Sequence, residues 1–152
     1  MTPDDRLAIS DALLRNAAAL DGGDMAGYLA SFLPHANYRL TALVPELDTI
    51  NTWLDLDRPA LERLVLSAGQ HVWNTGQRRR ILGQSRLWTD SHGIGAETGV
   101  AIYRTDEHGH THLYAVGRYV DLWQGSGTGW YLADRECRLD SRQLSPPSAL
   151  PL

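Results

Sequence analysis

The chain has 152 residues, of which 43% are hydrophobic and 21% are charged. These values are ordinary for one globular domain and exclude a disordered or fibrous protein. The formal net charge is −4 and all 14 basic residues are arginine, which argues against a sequence-independent nucleic-acid-binding protein. The single cysteine cannot form an internal disulfide, and the sequence shows neither a leader-like start nor an apolar run of about 18 residues. We therefore expect a cytoplasmic protein with a single domain spanning residues 1–152.

The first part of the sequence predicts two helices. Pro3 suits the first position of a helix in which apolar residues recur at helical spacing as far as Leu20. Residues 21–23, Asp-Gly-Gly, end this helix, and Asp24 can cap a second, shorter one. The residues of the second helix predicted to face inward are Tyr28, Leu29 and Phe32.

A short strand and a third helix follow. Residues 33–35, Leu-Pro-His, are predicted to break the second helix, and residues 37–41 have the composition of a first strand. Residues 45–57 are polar and show little periodicity. Asp57 can then cap a third amphipathic helix. Its apolar stripe comprises Leu61, Leu64, Val65, Ala68 and Val72.

The second half of the chain predicts strands. Four segments are rich in β-branched or aromatic residues, namely 80–88, 95–104, 113–123 and 130–139. The segments between them, at 91–93, 107–109 and 125–127, carry turn residues. Short connections between strands favour an antiparallel meander. The predicted fold class is therefore α+β, with a curved, mostly antiparallel sheet and three helices from the first half packed on one face.

Three histidines form the most obvious candidate for a metal site. His108, His110 and His112 alternate, so in an extended strand they would share one face. Metal ligands normally come from separate elements that orient one another, whereas Gly109 loosens the local geometry here. We interpret this segment as the tip of a polar hairpin and predict no metal site.

Two other features have structural interpretations. Cys137 lies on a half-apolar face of the last strand with no histidine predicted beside it, so a small core residue is favoured over a nucleophile. The run Arg78–Arg80 could bind an anion, but strand alternation sends the middle arginine to the opposite face from its neighbours. We interpret the run as an interface or ion-pairing feature.

General acid–base catalysis needs a carboxylate or imidazole that points into a cavity. The candidates are His71, Arg118, Asp121 and Glu136. Each also has a structural alternative, since Glu136 could pair with Arg118 across neighbouring strands. Asp121 could pair in the same way with Arg135 or Arg138. No phosphate-binding loop, nucleophile elbow or zinc-binding helix motif is present in the sequence.

Tryptophan is frequent, with five residues in the chain. Trp88 and Trp123 fall near predicted strand ends, where contact with a partner is a reasonable role. A sheet with helices on one face leaves its other face to be covered, and an oligomer would cover it.

Several segments, in order along most of the chain, carry a resemblance to a known family. They are 29–39, 79–83, 103–104, 117–121, 135–141 and 149–152. They resemble the small (β) subunit of bacterial aromatic-ring-hydroxylating dioxygenases, and the ending resembles the subgroup that acts on aromatic carboxylates such as terephthalate or salicylate. Relatives often have histidine before the position of Ile81, where this sequence has Arg80, so a contact specific to that histidine is not assumed.

The resemblance implies a nuclear-transport-factor-2-like cone fold and a scaffolding role without catalytic residues. It implies that three copies support three large (α) subunits, which carry a Rieske [2Fe–2S] cluster and a mononuclear iron and receive electrons from NAD(P)H through a reductase or ferredoxin. The sequence is consistent with metal centres that belong to the large subunit, because a Rieske centre takes two cysteines and two histidines and this sequence has a single cysteine. The expected substrate class is an aromatic acid. The expected interface residues are Arg79, Arg80, Trp88, Arg118, Tyr119, Asp121 and Trp123.

Two other functions remain open on the sequence alone. One is a free-standing dehydratase, isomerase or cyclase that uses a histidine or aspartate in the cavity of the cone. The other is a small-ligand-binding or structural dimer. Tyr28, Phe32 and Trp53 are large enough to fill the cavity, which would favour the subunit.

Overall fold

A computed structural model describes residues 1–68, 76–127, 129–148 and 150–152. Within these ranges three helices and seven strands follow one another. In chain order they are α1 (Pro3–Asp21), α2 (Met25–Ala30), β1 (Phe32–Val44), β2 (Thr49–Asp57), α3 (Arg58–Ser67), β3 (Gln77–Leu82), β4 (Arg86–Asp90), β5 (Gly93–Thr105), β6 (Thr111–Ser126) and β7 (Gly129–Leu139). None of the described helices is both long enough and apolar enough to cross a membrane.

The first helix begins where its capping residues place it. The Thr2 side chain accepts a hydrogen bond from the Asp5 amide at 3.1 Å, and the Asp5 carboxylate accepts one from the Thr2 amide at 2.6 Å. This reciprocal pair satisfies amide groups that have no partner inside the helix. The predicted start at Pro3 is confirmed, and the helix ends at Asp21.

Aspartates cap the other two helices as predicted. Asp24 accepts from the Gly27 amide at 2.9 Å, and Asp57 accepts from the Ala60 amide at 2.8 Å. The second helix ends at Ala30, so Phe32 belongs to β1, although its side chain is buried as expected. The predicted apolar position at Val72 lies outside the described residues.

All described strands form one sheet in the order β2-β1-β7-β6-β5-β3, and β4 pairs with β5 on the same side as β3. Neighbouring strands are antiparallel except for β1 and β7, which are parallel. The helices cover one face, because α1 contacts β3 and β7 while α2 and α3 contact β1. The predicted α+β class, with a mostly antiparallel sheet and helices on one face, is confirmed.

The first strand is longer than predicted. It starts at Phe32 and runs through Pro34, which the sequence analysis placed in a break. The pairing of β1 with β7 is interrupted between Phe32 and Asn37, so the missing amide proton of Pro34 removes no hydrogen bond from the ladder there.

The polar segment 45–57, for which no element was predicted, contains a strand. Residues 49–57 form β2, an edge strand joined to β1 by the one-turn helix Pro45–Leu47. Most of its side chains are exposed or only partly buried, so no alternation of apolar and polar residues marks it. Likewise, the strand predicted at 80–88 is two strands, β3 and β4, separated at Gly83, whose amide donates to the Gly99 carbonyl at 2.9 Å.

Candidate functional site

A buried salt bridge lies between the helices and the sheet. Arg135 of β7 stands directly opposite Asp121 of β6, and its Nε and Nη2 donate to the two carboxylate oxygens at 2.8 and 2.7 Å. Asn16 of α1 adds a third bond by accepting from Arg135 Nη1 at 2.5 Å. All three side chains are buried. Because both oxygens of Asp121 accept from the guanidinium, the carboxylate is ionised and committed to this pair.

The pKa values of the pair reflect both burial and mutual attraction. Burial raises the pKa of the Asp121 carboxyl, and the Arg135 guanidinium opposes that rise. Burial alone would lower the pKa of Arg135, but the attraction of Asp121 outweighs it and raises that pKa above its ordinary value. A carboxylate held in this way is not available as a general base.

A second buried arginine binds the last residues of the chain. Arg80 of β3 forms an ion pair with Asp21 at the end of α1 and donates from Nε to the Tyr119 hydroxyl at 3.1 Å. Its Nη2 donates to the carbonyl of Pro151 at 3.1 Å, and the amide of Leu152 donates to the Tyr38 hydroxyl at 3.0 Å. Leu152 is completely buried. Residues 150–152 are therefore held against the core.

Aromatic side chains are buried beside these two networks. The buried aromatic residues are Tyr28, Phe32, Tyr38, Tyr114, Tyr119 and Trp123. The Tyr28 and Phe32 rings meet edge to face at 5.2 Å, and the Arg135 guanidinium lies 4.2 Å from the centre of the Tyr119 ring. Two of the residues considered able to fill the cone, Tyr28 and Phe32, are buried in the core. The third, Trp53, is partly exposed and lines an apolar cavity of about 370 Å³ together with the core residue Leu40.

The structure gives the other acid–base candidates structural partners. Glu136 accepts two hydrogen bonds from Arg138, at 3.1 and 2.9 Å, and one from the Thr41 hydroxyl at 2.7 Å. The expected pairing of Glu136 with Arg118 is wrong, because Arg118 stands opposite Arg138 and approaches Asp140 at 3.9 Å instead. His71 lies outside the described residues.

Cys137 lies in the core, and His108 and His110 lie in a hairpin turn, as the sequence favoured. Cys137 is completely buried, and burial raises the pKa of its thiol to about 12. His108 and His110 are exposed in the turn between β5 and β6, where the Asp106 carboxylate accepts from both of their amides at 2.9 Å. Over the described ranges, no group of three or more histidine, cysteine, aspartate or glutamate residues could hold a metal ion.

The burial of Cys137 leads to a test. We expect 5,5′-dithiobis(2-nitrobenzoate) not to label the native protein at pH 8, because the thiol is both inaccessible and protonated. The same reagent should label one thiol per chain once guanidinium chloride has unfolded the protein. Labelling is measured by absorbance at neutral to mildly alkaline pH. Rapid labelling of the native protein would contradict a core role for Cys137.

The predicted interface residues divide between the two faces of the sheet. Arg80, Tyr119, Asp121 and Trp123 are buried in the core. Strand alternation turns these four side chains toward the helices, so they are buried within this chain. The other three, Arg79, Trp88 and Arg118, lie on the outer face, the face of the sheet away from the helices. The expectation that Arg79 points away from Arg78 and Arg80 is confirmed.

Small residues of β5 leave a shallow trough on this outer face. Gly95, Gly99 and Ala101 stand opposite Trp88, Arg118 and Ile81 on the neighbouring strands. A Cβ atom at Gly95 would lie 2.2 Å from the Trp88 ring, so the indole lies directly on the glycine backbone. Three exposed apolar side chains lie on the outer face toward the other end of β5, and no pattern in the sequence indicated them. They are Ile81, Tyr103 and Leu113, which are 55%, 38% and 52% exposed.

Both the sequence and the fold of this chain are similar to those of known proteins. No protein-family model matches the chain. The β subunit of 2-aminobenzenesulfonate 2,3-dioxygenase from Alcaligenes sp. is 31% identical over 141 residues, which are 92% of this chain and 94% of the relative. A structure assigned as the β subunit of an aromatic-ring-hydroxylating dioxygenase from Novosphingobium aromaticivorans has a TM-score of 0.81 at 21% identity over 91% of both chains. A chain of naphthalene 1,2-dioxygenase, solved with indole in the active site, has a TM-score of 0.78 at 15% identity over 94% of this chain and 83% of that one.

The fold is thus a nuclear-transport-factor-2-like cone of the kind found in dioxygenase β subunits. The likeness in sequence extends over nearly the whole length of both proteins. The chain belongs to the family of β subunits of aromatic-ring-hydroxylating dioxygenases. A β subunit of this family is one component of a dioxygenase and implies a large α subunit as its partner.

Proposed function

We propose that this protein is a scaffold for the α subunits of a ring-hydroxylating dioxygenase and contributes no catalytic residue of its own. The observation that carries the proposal is the buried salt bridge between Asp121 and Arg135. The carboxylate and guanidinium of Asp121 and Arg135 are paired with each other, and aromatic side chains and Leu152 occupy the space beside them. The free-standing dehydratase or isomerase requires an open cavity with an available base, and neither Asp121 nor Glu136 supports that alternative.

The chemistry in this proposal belongs to the partner. A Rieske centre takes two cysteines and two histidines, whereas this chain has one cysteine, which is buried. These residues therefore do not fit the cluster, and we place both it and the mononuclear iron in the α subunit. The substrate class that we propose is an aromatic acid, in keeping with the aromatic sulfonate in the name of the Alcaligenes relative. Oxygen and electrons derived from NAD(P)H through a reductase or ferredoxin, in the cytoplasm, complete the reaction.

We propose that the outer face contributes to the contact with other subunits. Arg79, Trp88 and Arg118 project from it, and the open space at Gly99 gives a partner access to the backbone of β5. Tryptophan and arginine are the side chains that most often dominate the energy of an interface. The mechanism is positional, because a rigid sheet holds three α subunits in fixed relation within an assembly of three α and three β subunits.

Native mass spectrometry of the tagged chain purified from its own host, with an absorption spectrum of the same sample, tests the proposed function. We expect a complex with a much larger, brown, iron–sulfur-bearing subunit in equal copies. A colourless homo-oligomer that retains no larger subunit at low salt would contradict the proposal and favour the free-standing enzyme or the structural dimer.

Substitutions on the outer face test where the partner binds. Trp88→Ala is expected to weaken assembly by about 2 kcal/mol, or roughly 30-fold in Kd, and Arg118→Ala by a smaller amount, with the iron chemistry unchanged. The measurement is the concentration dependence of complex dissociation. Arg63→Ala is the matched control, because Arg63 is an exposed arginine on α3 in the helical layer. Complexes of unchanged stability for both outer-face variants would remove these residues from the interface.

A further inference from the structure

A pair of arginines on the core face of the sheet has no role in the networks described above. Arg78 of β3 and Arg104 of β5 stand directly opposite each other, and each is only 9% exposed. Like charges directly opposite on neighbouring strands repel. Burial lowers the pKa of Arg78, and Tyr114 opposes this shift. The positive charges of Arg80 and Arg104 lower this pKa further, and the nearby Asp21 carboxylate partly offsets them. The site therefore concentrates positive charge in a place of low solvent access.

Arg104 is the residue that points to a ligand. Its Nε is buried and has no hydrogen-bond partner in the part of the chain that the structure describes. A buried donor without an acceptor is destabilising, and more so when it is charged. The residues outside that part, 69–75, 128 and 149, include no aspartate or glutamate, so they contribute no side-chain carboxylate to this pair.

The surroundings of the pair are shaped around the guanidinium groups. A Cβ atom at Gly76 would lie 2.6 Å from Nε and Cζ of Arg104, so the Gly76 backbone lies directly against this guanidinium. The Arg78 guanidinium lies 4.9 Å from the centre of the Tyr114 ring, and its Nη1 donates to the Ser148 hydroxyl at 2.8 Å. A side chain at position 76 would therefore displace the Arg104 guanidinium from this arrangement.

The neighbouring hydroxyl groups have already used their protons. Tyr114 donates to the Pro146 carbonyl at 2.5 Å, and Ser148 donates to the Leu150 carbonyl at 2.6 Å. The donors that remain to bind a ligand are the N–H groups of the Arg104 guanidinium. Two such groups in a planar fork match the two oxygens of a carboxylate.

We propose that Arg104, supported by Arg78, binds a small carboxylate at this end of the sheet. The guanidinium of Arg104 supplies the hydrogen bonds, and the second positive charge strengthens the attraction. Because both arginines are only 9% exposed, the ligand that we propose is a small free carboxylate and not a side chain on a flat protein surface. This site lies apart from the outer face and does not depend on the proposed subunit role.

Isothermal titration of the full chain with sodium acetate, in the oligomeric state in which it is purified, tests the proposal. Sodium chloride at equal ionic strength is the reference. We expect one acetate per chain in the wild type and in Arg63→Gln, which removes an exposed arginine, and at least tenfold weaker binding in Arg104→Gln. Absence of binding beyond chloride, or equal binding by wild type and Arg104→Gln, would overturn the proposal.

A second variant keeps the test decisive if Arg104→Gln does not fold. Arg104→Lys retains the charge but lacks the planar fork, so acetate binding should again weaken about tenfold. Sodium phosphate is titrated in parallel, and equal affinity for phosphate would overturn the choice of a carboxylate. One further outcome would overturn the proposal. If the wild type binds no acetate and Arg104→Lys no longer binds the α subunit, the site binds a carboxylate of the partner instead.

Discussion

Replacing Arg135 with methionine is expected to lower the free energy of unfolding by about 3–5 kcal/mol. The substitution leaves the Asp121 carboxylate buried between the helices and the sheet with no counter-charge, and removes the partner of Asn16 Oδ1. A loss of this size is a large fraction of the stability of a typical domain. Guanidinium chloride unfolding followed by circular dichroism measures it, with the slope of the transition checked for two-state behaviour.

The double variant Asp121→Leu/Arg135→Met separates the salt bridge from simple loss of packing. Replacing both partners with apolar side chains removes the unpaired charge, so most of the lost stability should return. Asn16 keeps its other hydrogen bond, to the Ser31 hydroxyl at 2.6 Å. If the single and double variants are equally unstable, the cost lies in packing and not in the uncompensated carboxylate.

Trp123→Ala is expected to destabilise the chain by about 3–5 kcal/mol, because it removes a completely buried side chain from the core. Trp123→Phe is the matched control. The indole Nε1 has no hydrogen-bond partner among the described residues, so phenylalanine loses only volume and should cost about 1 kcal/mol. Unfolding of the isolated chain measures both changes.

The same measurement on Trp88→Ala distinguishes a core tryptophan from a surface one. Trp88 is partly exposed on the outer face, so its loss should change the stability of the isolated chain by less than that of Trp123 and should act mainly on assembly. Equal destabilisation by the two alanine variants would contradict the assignment of Trp88 to the surface.

Local signals in the sequence were sufficient for much of the fold. The capping residues Thr2, Asp24 and Asp57 act at short range, so the starts of all three described helices could be predicted. The three long strands of the second half were predicted to within a few residues because they are half-buried and bounded by turn residues. The edge strand β2 carries no such pattern, since its side chains face mostly solvent.

The face of the sheet on which each predicted interface residue lies could not be predicted from the sequence. Alternation along β6 groups Tyr119, Asp121 and Trp123 on one face, but it does not say which face the helices cover. Arg118 and Asp121 are both charged, and only the tertiary structure shows that Asp121 is buried with Arg135 while Arg118 is on the outer face. The partner of Glu136 was missed for a related reason, because Arg138 lies two positions along the same strand and not across from it.

The parallel pairing of β1 with β7 affects the order in which the molecule can form. The Arg39–Asp134 ion pair across these strands joins residues 95 positions apart, whereas β5, β6 and β7 pair with their neighbours in sequence. Closing so long a loop is slow because its entropy is lost before the contact is gained. During synthesis, β1 and β2 therefore join the rest of the sheet only after β7 has been made. Until then, the edge of β1 that pairs with β7 remains open. The complete sheet is available to another subunit only after β7 has emerged from the ribosome, so any contact that needs the whole sheet forms after β7 has been synthesised.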